Sequence, residues 1–122
     1  MTTLTGKRRR VKPMKLELRK PLKSGIYPAV VVEVKPAGTR FGTQLVWRFR
    51  LEDEGKHVVQ AFSSTVYSPK SKLARWVHAC LGELPEELDT ERLAGTFCLV
   101  DVDAEGEYPR VKDVMPPENL FD

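Results

Sequence analysis

A chain of 122 residues, 41% hydrophobic and 30% charged, has the size and composition of one soluble globular core and not two. No apolar run approaches the roughly 18–20 residues that span a bilayer, and the basic N-terminus lacks the apolar stretch of a secretory signal. Cys80 and Cys98 both sit in apolar surroundings, so reduced core thiols and a cytoplasmic location are expected.

The net charge of +3 conceals an asymmetry. Residues 1–24 carry nine Lys or Arg against Glu17 alone, leaving eleven basic and sixteen acidic residues in the remainder. The cationic character therefore belongs to an arm, which suits a polyanion such as nucleic acid; a solvated tail is the plainer alternative. The expected organisation is a basic, disordered arm over 1–23, one domain over 24–116 and a short tail over 117–122.

Along the chain, Met14, Leu16 and Leu18 alternate with Lys15, Glu17 and Arg19, which predicts a short edge strand or extended arm. The β-branched run Gly25–Lys35 predicts a first strand, with Ile26, Val30, Val32 and Val34 toward the core and Tyr27, Glu33 and Lys35 outward. Pro28 predicts an edge position or a bulge. Pro36–Thr43 reads as a loop carrying Arg40 beside Phe41. In Gln44–Leu51 the alternation is clean: Leu45, Trp47, Phe49 and Leu51 share one face, and Gln44, Val46, Arg48 and Arg50 the other. The turn Glu52–Lys56 then leads to a third strand over His57–Tyr67, with Val58, Phe62 and Val66 partly inward.

Ser68–Gly82 is the helix of the chain. Ser68 reads as its N-cap, Pro69 as its first residue, and Gly82 as a left-handed stop. Leu73, Trp76, Val77, Cys80 and Leu81 form its apolar face. One helical turn is expected at Glu91–Ala94, then strands over Thr96–Asp103 and Tyr108–Met115, the latter with Val111 and Val114 in the core. Pro116-Pro117 closes the pattern. The order β-β-β-α-β-β is that of an OB-fold, a mainly β, five-stranded Greek-key barrel with one α-helix between strands 3 and 4.

Signs of catalysis are sparse. Two Cys and two His lack metal-ligand spacing, Gly38 and Gly42 lack the Gly-Lys-Ser/Thr of a P-loop, and Ser63, Ser64 and Thr65 have no assignable base. Asp101 and Asp103 share a strand face and read as solvated exterior. No catalytic residue, metal site or cofactor is expected, and the chain does not read as an enzyme. Binding of single strands needs cations along a phosphate track and flat side chains for stacking. In OB-folds that surface crosses strands 2 and 3 and is flanked by the 1–2 and 4–5 loops. The residues expected there are Lys35, Arg40, Phe41, Arg48, Arg50, Tyr108, Arg110 and Lys112. Pairing of Arg48 and Arg50 with acidic neighbours is the competing expectation, as is Phe41 tucked beneath its own loop; Trp47 and Trp76 are assigned to the core.

Gly25-x-Tyr27, the aromatic strand Trp47–Phe49, the helix start S-P-K-S-K-L-x-x-W at Ser68–Trp76 and L-x-G-x-x-C at Leu93–Cys98 occur together. This combination, over roughly residues 24–116, resembles a group of small phage-associated and bacterial OB-fold proteins regarded as single-stranded DNA binders. The resemblance implies the fold and single-stranded DNA binding; its motif positions are structural, so it assigns no functional residue, and a role in phage or bacterial replication or recombination is the expectation built on it. Glu118–Asp122 resembles, in shorter and less acidic form, the tail by which bacterial single-stranded DNA-binding proteins recruit replication and repair enzymes; a frayed end with Phe121 packed on the barrel is the favoured expectation. The expected function is thus largely sequence-independent binding of single-stranded DNA, with RNA as a further ligand and homo-oligomers open. An OB-fold protein-interaction module, an adaptor that does not hold nucleic acid through its barrel, is the alternative.

Overall fold

The computed structural model describes residues 13–16, 22–53 and 55–117. The β-branched and aromatic runs form five strands: β1 (Gly25–Thr39), β2 (Gly42–Leu51), β3 (Val58–Ser64), β4 (Phe97–Asp103) and β5 (Arg110–Met115). One helix, α1 (Lys72–Leu81), and a 3-10 turn at Thr90–Leu93 lie between β3 and β4. Strand pairing runs β1-β2-β3-β5-β4 and returns from β4 to β1, so the mainly β sheet closes on itself. β1 achieves this by pairing twice, with β4 over Gly25–Val30 and with β2 over Ala29–Thr39. Of the expected arm (1–23), residues 1–12 and 17–21 lie outside the described residues, as does the tail tip (118–122). Pro13–Leu16, the described part of the expected Met14–Leu18 strand, makes no strand pairing, and Met14 and Leu16 are exposed.

A bulge between Val31 and Glu33 resets the in–out alternation of β1. Ala29 and Val31 are buried before it and Val34 after it, whereas Ile26 and Val32, expected in the core, are exposed. Pro28 lies in the stretch of β1 that pairs with β4 alone, the edge position expected of it, and the bulge at Val32 is a separate feature. Beyond it the ladder continues to Thr39↔Gly42, so the expected loop Pro36–Thr43 is mostly hairpin with only Arg40 and Phe41 at its tip. Gly42 takes φ 107 there, a value that favours glycine.

β3 reverses the expected facing. Val59, Ala61 and Ser63 are buried, while Val58 and Phe62 are half exposed and Val66 lies beyond the strand and is exposed. The reason is volume. Trp47, Phe49 and Trp76 fill the interior, with Trp47 stacked on Phe49 at 5.9 Å and edge-on to Trp76 at 5.3 Å. Small β3 residues leave room for these rings, and Ser63 Oγ accepts the Trp47 indole N–H at 2.9 Å.

The helix begins later than expected. Ser71, not Ser68, is the N-cap, and its Oγ accepts from the Ala74 N–H at 3.0 Å; Ser68 and Pro69 belong to the preceding turn. Gly82 ends the helix at φ 79, its N–H donating to the His78 carbonyl. Leu73, Trp76 and Val77 are buried as expected, and Cys80 and Leu81 are half-buried against the core. β3 and β5 share a single bridge, Gln60↔Arg110. Pro109 has no N–H to extend that ladder. The helix ties the seam instead: Lys72 Nζ donates to the Phe62 carbonyl on β3, and Arg75 and Trp76 donate to Asp113 on β5.

Candidate nucleic-acid interface

Strand register decides which side chains share the outer face. Glu33, Arg48, Gln60 and Arg110 are successive cross-strand partners over β1, β2, β3 and β5. The next row is Lys35, Val46 and Phe62, and the row on the other side is Val30, Arg50 and Val58. Arg48, Arg50, Lys35 and Arg110 therefore occupy one continuous surface, with Phe62 and Val58 among them. Phe62 is 49% exposed there.

The cations on this surface are already partnered. Glu33 Oε2 lies 3.2 Å from Arg48 Nη1 and 3.6 Å from Lys35 Nζ. Glu52 holds Arg50 at 3.5 Å, and Asp103 stands 3.9 Å from Arg110. All four are exposed or half-exposed pairs of the kind that exchange readily with solvent ions. The Arg48 Nε is a buried side-chain polar atom with no hydrogen-bond partner among the described residues.

Tyr108 and Arg110 join Val58–Phe62 and Lys72 in lining a groove of about 550 Å³ along the β3–β5 seam. Tyr108, expected at the start of the fifth strand, precedes β5 and is 73% exposed. Lys112 is exposed on β5, at the point where the β4–β5 register slips. Arg40 and Phe41 stand apart from the groove at the β1–β2 tip, which runs past the last β3 pair at Gln44↔Ser64. Phe41 does not tuck under its loop: it is exposed, and the Arg40 guanidinium lies 5.1 Å from its ring centre.

Two residues of this surface are absent from the sequence-based set. Phe62, expected partly inward, is half exposed on β3, and Lys72 lies on the helix, outside the strands and loops from which that set is drawn. Phe62 could have been placed from the hairpin: pairing Arg50 with Val58 across the Glu52–Lys56 turn puts Phe62 opposite Val46 on the polar face. The two thiols, by contrast, belong to the interior. Cys98 is buried and Cys80 half-buried beside it, where the contact with Cys80 and desolvation push the Cys98 thiol far up. Among the described residues no three His, Cys, Asp or Glu side chains converge as a metal-ligand set, and no helix is long and apolar enough to cross a membrane. No protein-family model matches the chain, and no curated protein matches it.

Proposed function

We propose that this is a non-catalytic, single-stranded DNA-binding protein of the OB-fold type, acting in phage or bacterial replication or recombination. The strand order β1-β2-β3-β5-β4 with the helix between β3 and β4 supports that fold assignment. The observation that carries the function is the outer surface of β2, β3 and β5, where Arg48 and Arg110 share a row through Gln60, Arg50 lies in the row on one side and the exposed ring of Phe62 in the row on the other, with Tyr108 at the seam. Cations there track phosphates, and the rings offer π-faces to any base, which gives binding with little sequence preference. Arg40 and Phe41 extend the surface at the hairpin tip, Lys112 borders it, and the basic arm adds affinity that does not depend on sequence.

Titration of labelled oligo-dT at low and at high salt tests this reading. Binding should weaken steeply as salt rises; no binding even at low salt overturns it. Matched RNA and DNA oligonucleotides in competition separate the two polymers, which backbone cations and stacking serve alike. The alternative, an adaptor that docks on a larger assembly, draws on a different observation: Ile26 and Phe97 are exposed where β1 pairs with β4, Phe97 continuing the Val30–Arg50 row on the side away from β3. If removing residues 1–20 abolishes all DNA binding, the arm alone holds the polymer and the adaptor reading prevails.

A further inference from the structure

The β3–β5 seam is open where the rest of the sheet is closed. One wall is β3 from Val58 to Phe62, the other is Tyr108–Val111, and Lys72 stands over one end from the first turn of α1. Its volume, about 550 Å³, lies in the range of small-ligand pockets. The walls combine apolar and aromatic side chains with Gln60, and the charged groups among the lining residues are Lys72 and Arg110. A ligand matching this lining has a flat apolar body and a negative charge at its margin.

Lys72 differs from Lys35, Arg48, Arg50 and Arg110. Its ammonium lies 4.5 Å from the Trp76 ring centre and donates to the Phe62 carbonyl at 3.2 Å, and it forms no carboxylate pair among the described residues. A π-face and a carbonyl position the charge without neutralising it, so an arriving phosphate displaces no internal partner. Arg110, loosely paired at 3.9 Å, is the nearest second cation of the groove.

We propose that this groove seats two neighbouring bases of the bound strand, one stacked on Phe62 at the Lys72 end and one on Tyr108 toward Val58, with the phosphate between them held by Lys72 and Arg110. The inference rests on the DNA-binding reading and adds to it a fixed grip point on an otherwise even track. Stacking makes the site tolerant of base identity but dependent on a base being present. Phosphate contacts alone have no such dependence.

The test compares the whole protein with Phe62→Ala, Tyr108→Ala and Lys72→Gln, and with Phe97→Ala as a control on the β1–β4 face, against oligo-dT and an abasic oligomer of equal length. All four side chains are exposed, and unchanged thermal melting verifies that each variant is folded. The expected result is a loss of about tenfold for each aromatic variant on oligo-dT, no such loss on the abasic oligomer, and no effect of Phe97→Ala. Lys72→Gln should weaken both ligands. If wild type binds oligo-dT but Phe62→Ala and Tyr108→Ala bind within twofold of it, the grip point is overturned while the DNA reading stands. If wild type ignores oligo-dT at low salt, the DNA reading itself fails. An acidic aromatic peptide that binds wild type, is lost in Phe62→Ala and is not displaced by oligo-dT would overturn the proposal in favour of a peptide site.

Discussion

Trp47 donates its indole N–H to the hydroxyl of Ser63 at 2.9 Å inside the closed sheet, where both residues are almost fully buried. Two consequences follow from this pair. It supplies the indole with the partner that a buried N–H requires, and it fixes the facing of β3, since a serine directed inward directs Phe62 outward. Ser63→Ala leaves the indole unpaired and should destabilise the protein by about 1–3 kcal/mol. Urea unfolding followed by tryptophan fluorescence reads the loss as a lower midpoint at constant slope. An unchanged midpoint would mean that the hydroxyl does not satisfy the indole.

Glu33 offers a second handle, this time on binding. Its carboxylate faces both Lys35 and Arg48, so Glu33→Gln removes a competitor for phosphate and leaves two cations unpaired. Exposed pairs of this kind contribute little to stability, so melting should move little. Oligo-dT affinity at low salt should rise by about threefold to tenfold, with Arg48→Ala having the opposite effect. Equal affinity for wild type and Glu33→Gln would remove the β1–β2 surface from the phosphate track.

Acid should loosen the seam between α1 and β5. Burial pushes the Asp113 carboxyl up, but the Val114 N–H, the Arg75 guanidinium and the Trp76 indole outweigh it and hold the group below its ordinary 3.8. Asp53 behaves alike: burial raises it, and hydrogen bonds and charge from His57 bring it below 3.8. A carboxyl whose folded pKa is depressed adds stability above its unfolded value and loses it as pH falls through the folded value. The contribution of both groups is therefore complete at neutral pH and fades below about pH 4. Asp113→Asn should lower stability at pH 7 and flatten the decline at acid pH, read by urea unfolding at a series of pH values. An acid limb as steep as that of wild type would assign the loss to other carboxylates.

How much of this was legible beforehand depended on whether size and polarity agreed. In β2 they agree: large apolar residues face in and arginines face out, so alternation alone places Trp47, Phe49, Arg48 and Arg50. In β3 they conflict, because Val59, Ala61 and Ser63 face in beneath two tryptophans while Val58 and Phe62 face out. Local hydrophobicity follows the larger side chain and chooses the wrong face. The bulge at Val32 has the same character, since a shift of one residue is invisible until β1 is paired with both β2 and β4. The arginines of the candidate surface were legible from their own strand; their carboxylate partners and Lys72 required the register and the helix docking.

The start of the helix joins this question of legibility to function. Ser68-Pro69 is a strong helix-start signal, yet Ser71 occupies the cap position. Its Oγ accepts from Ala74 N–H and donates to the Ser68 carbonyl, so Ser68 contributes its backbone to the cap. Ser71→Ala should cost about 1 kcal/mol, and Ser68→Ala should fall within about 0.5 kcal/mol of wild type. Lys72 is the first residue of the helix, so fraying that turn also loosens the ammonium held between Trp76 and the Phe62 carbonyl. Ser71→Ala should therefore weaken oligo-dT binding as well as stability, whereas Ser68→Ala should alter neither. Equal losses of stability in the two variants would return the cap to Ser68. A destabilised Ser71→Ala with wild-type DNA affinity would separate the helix start from the binding surface.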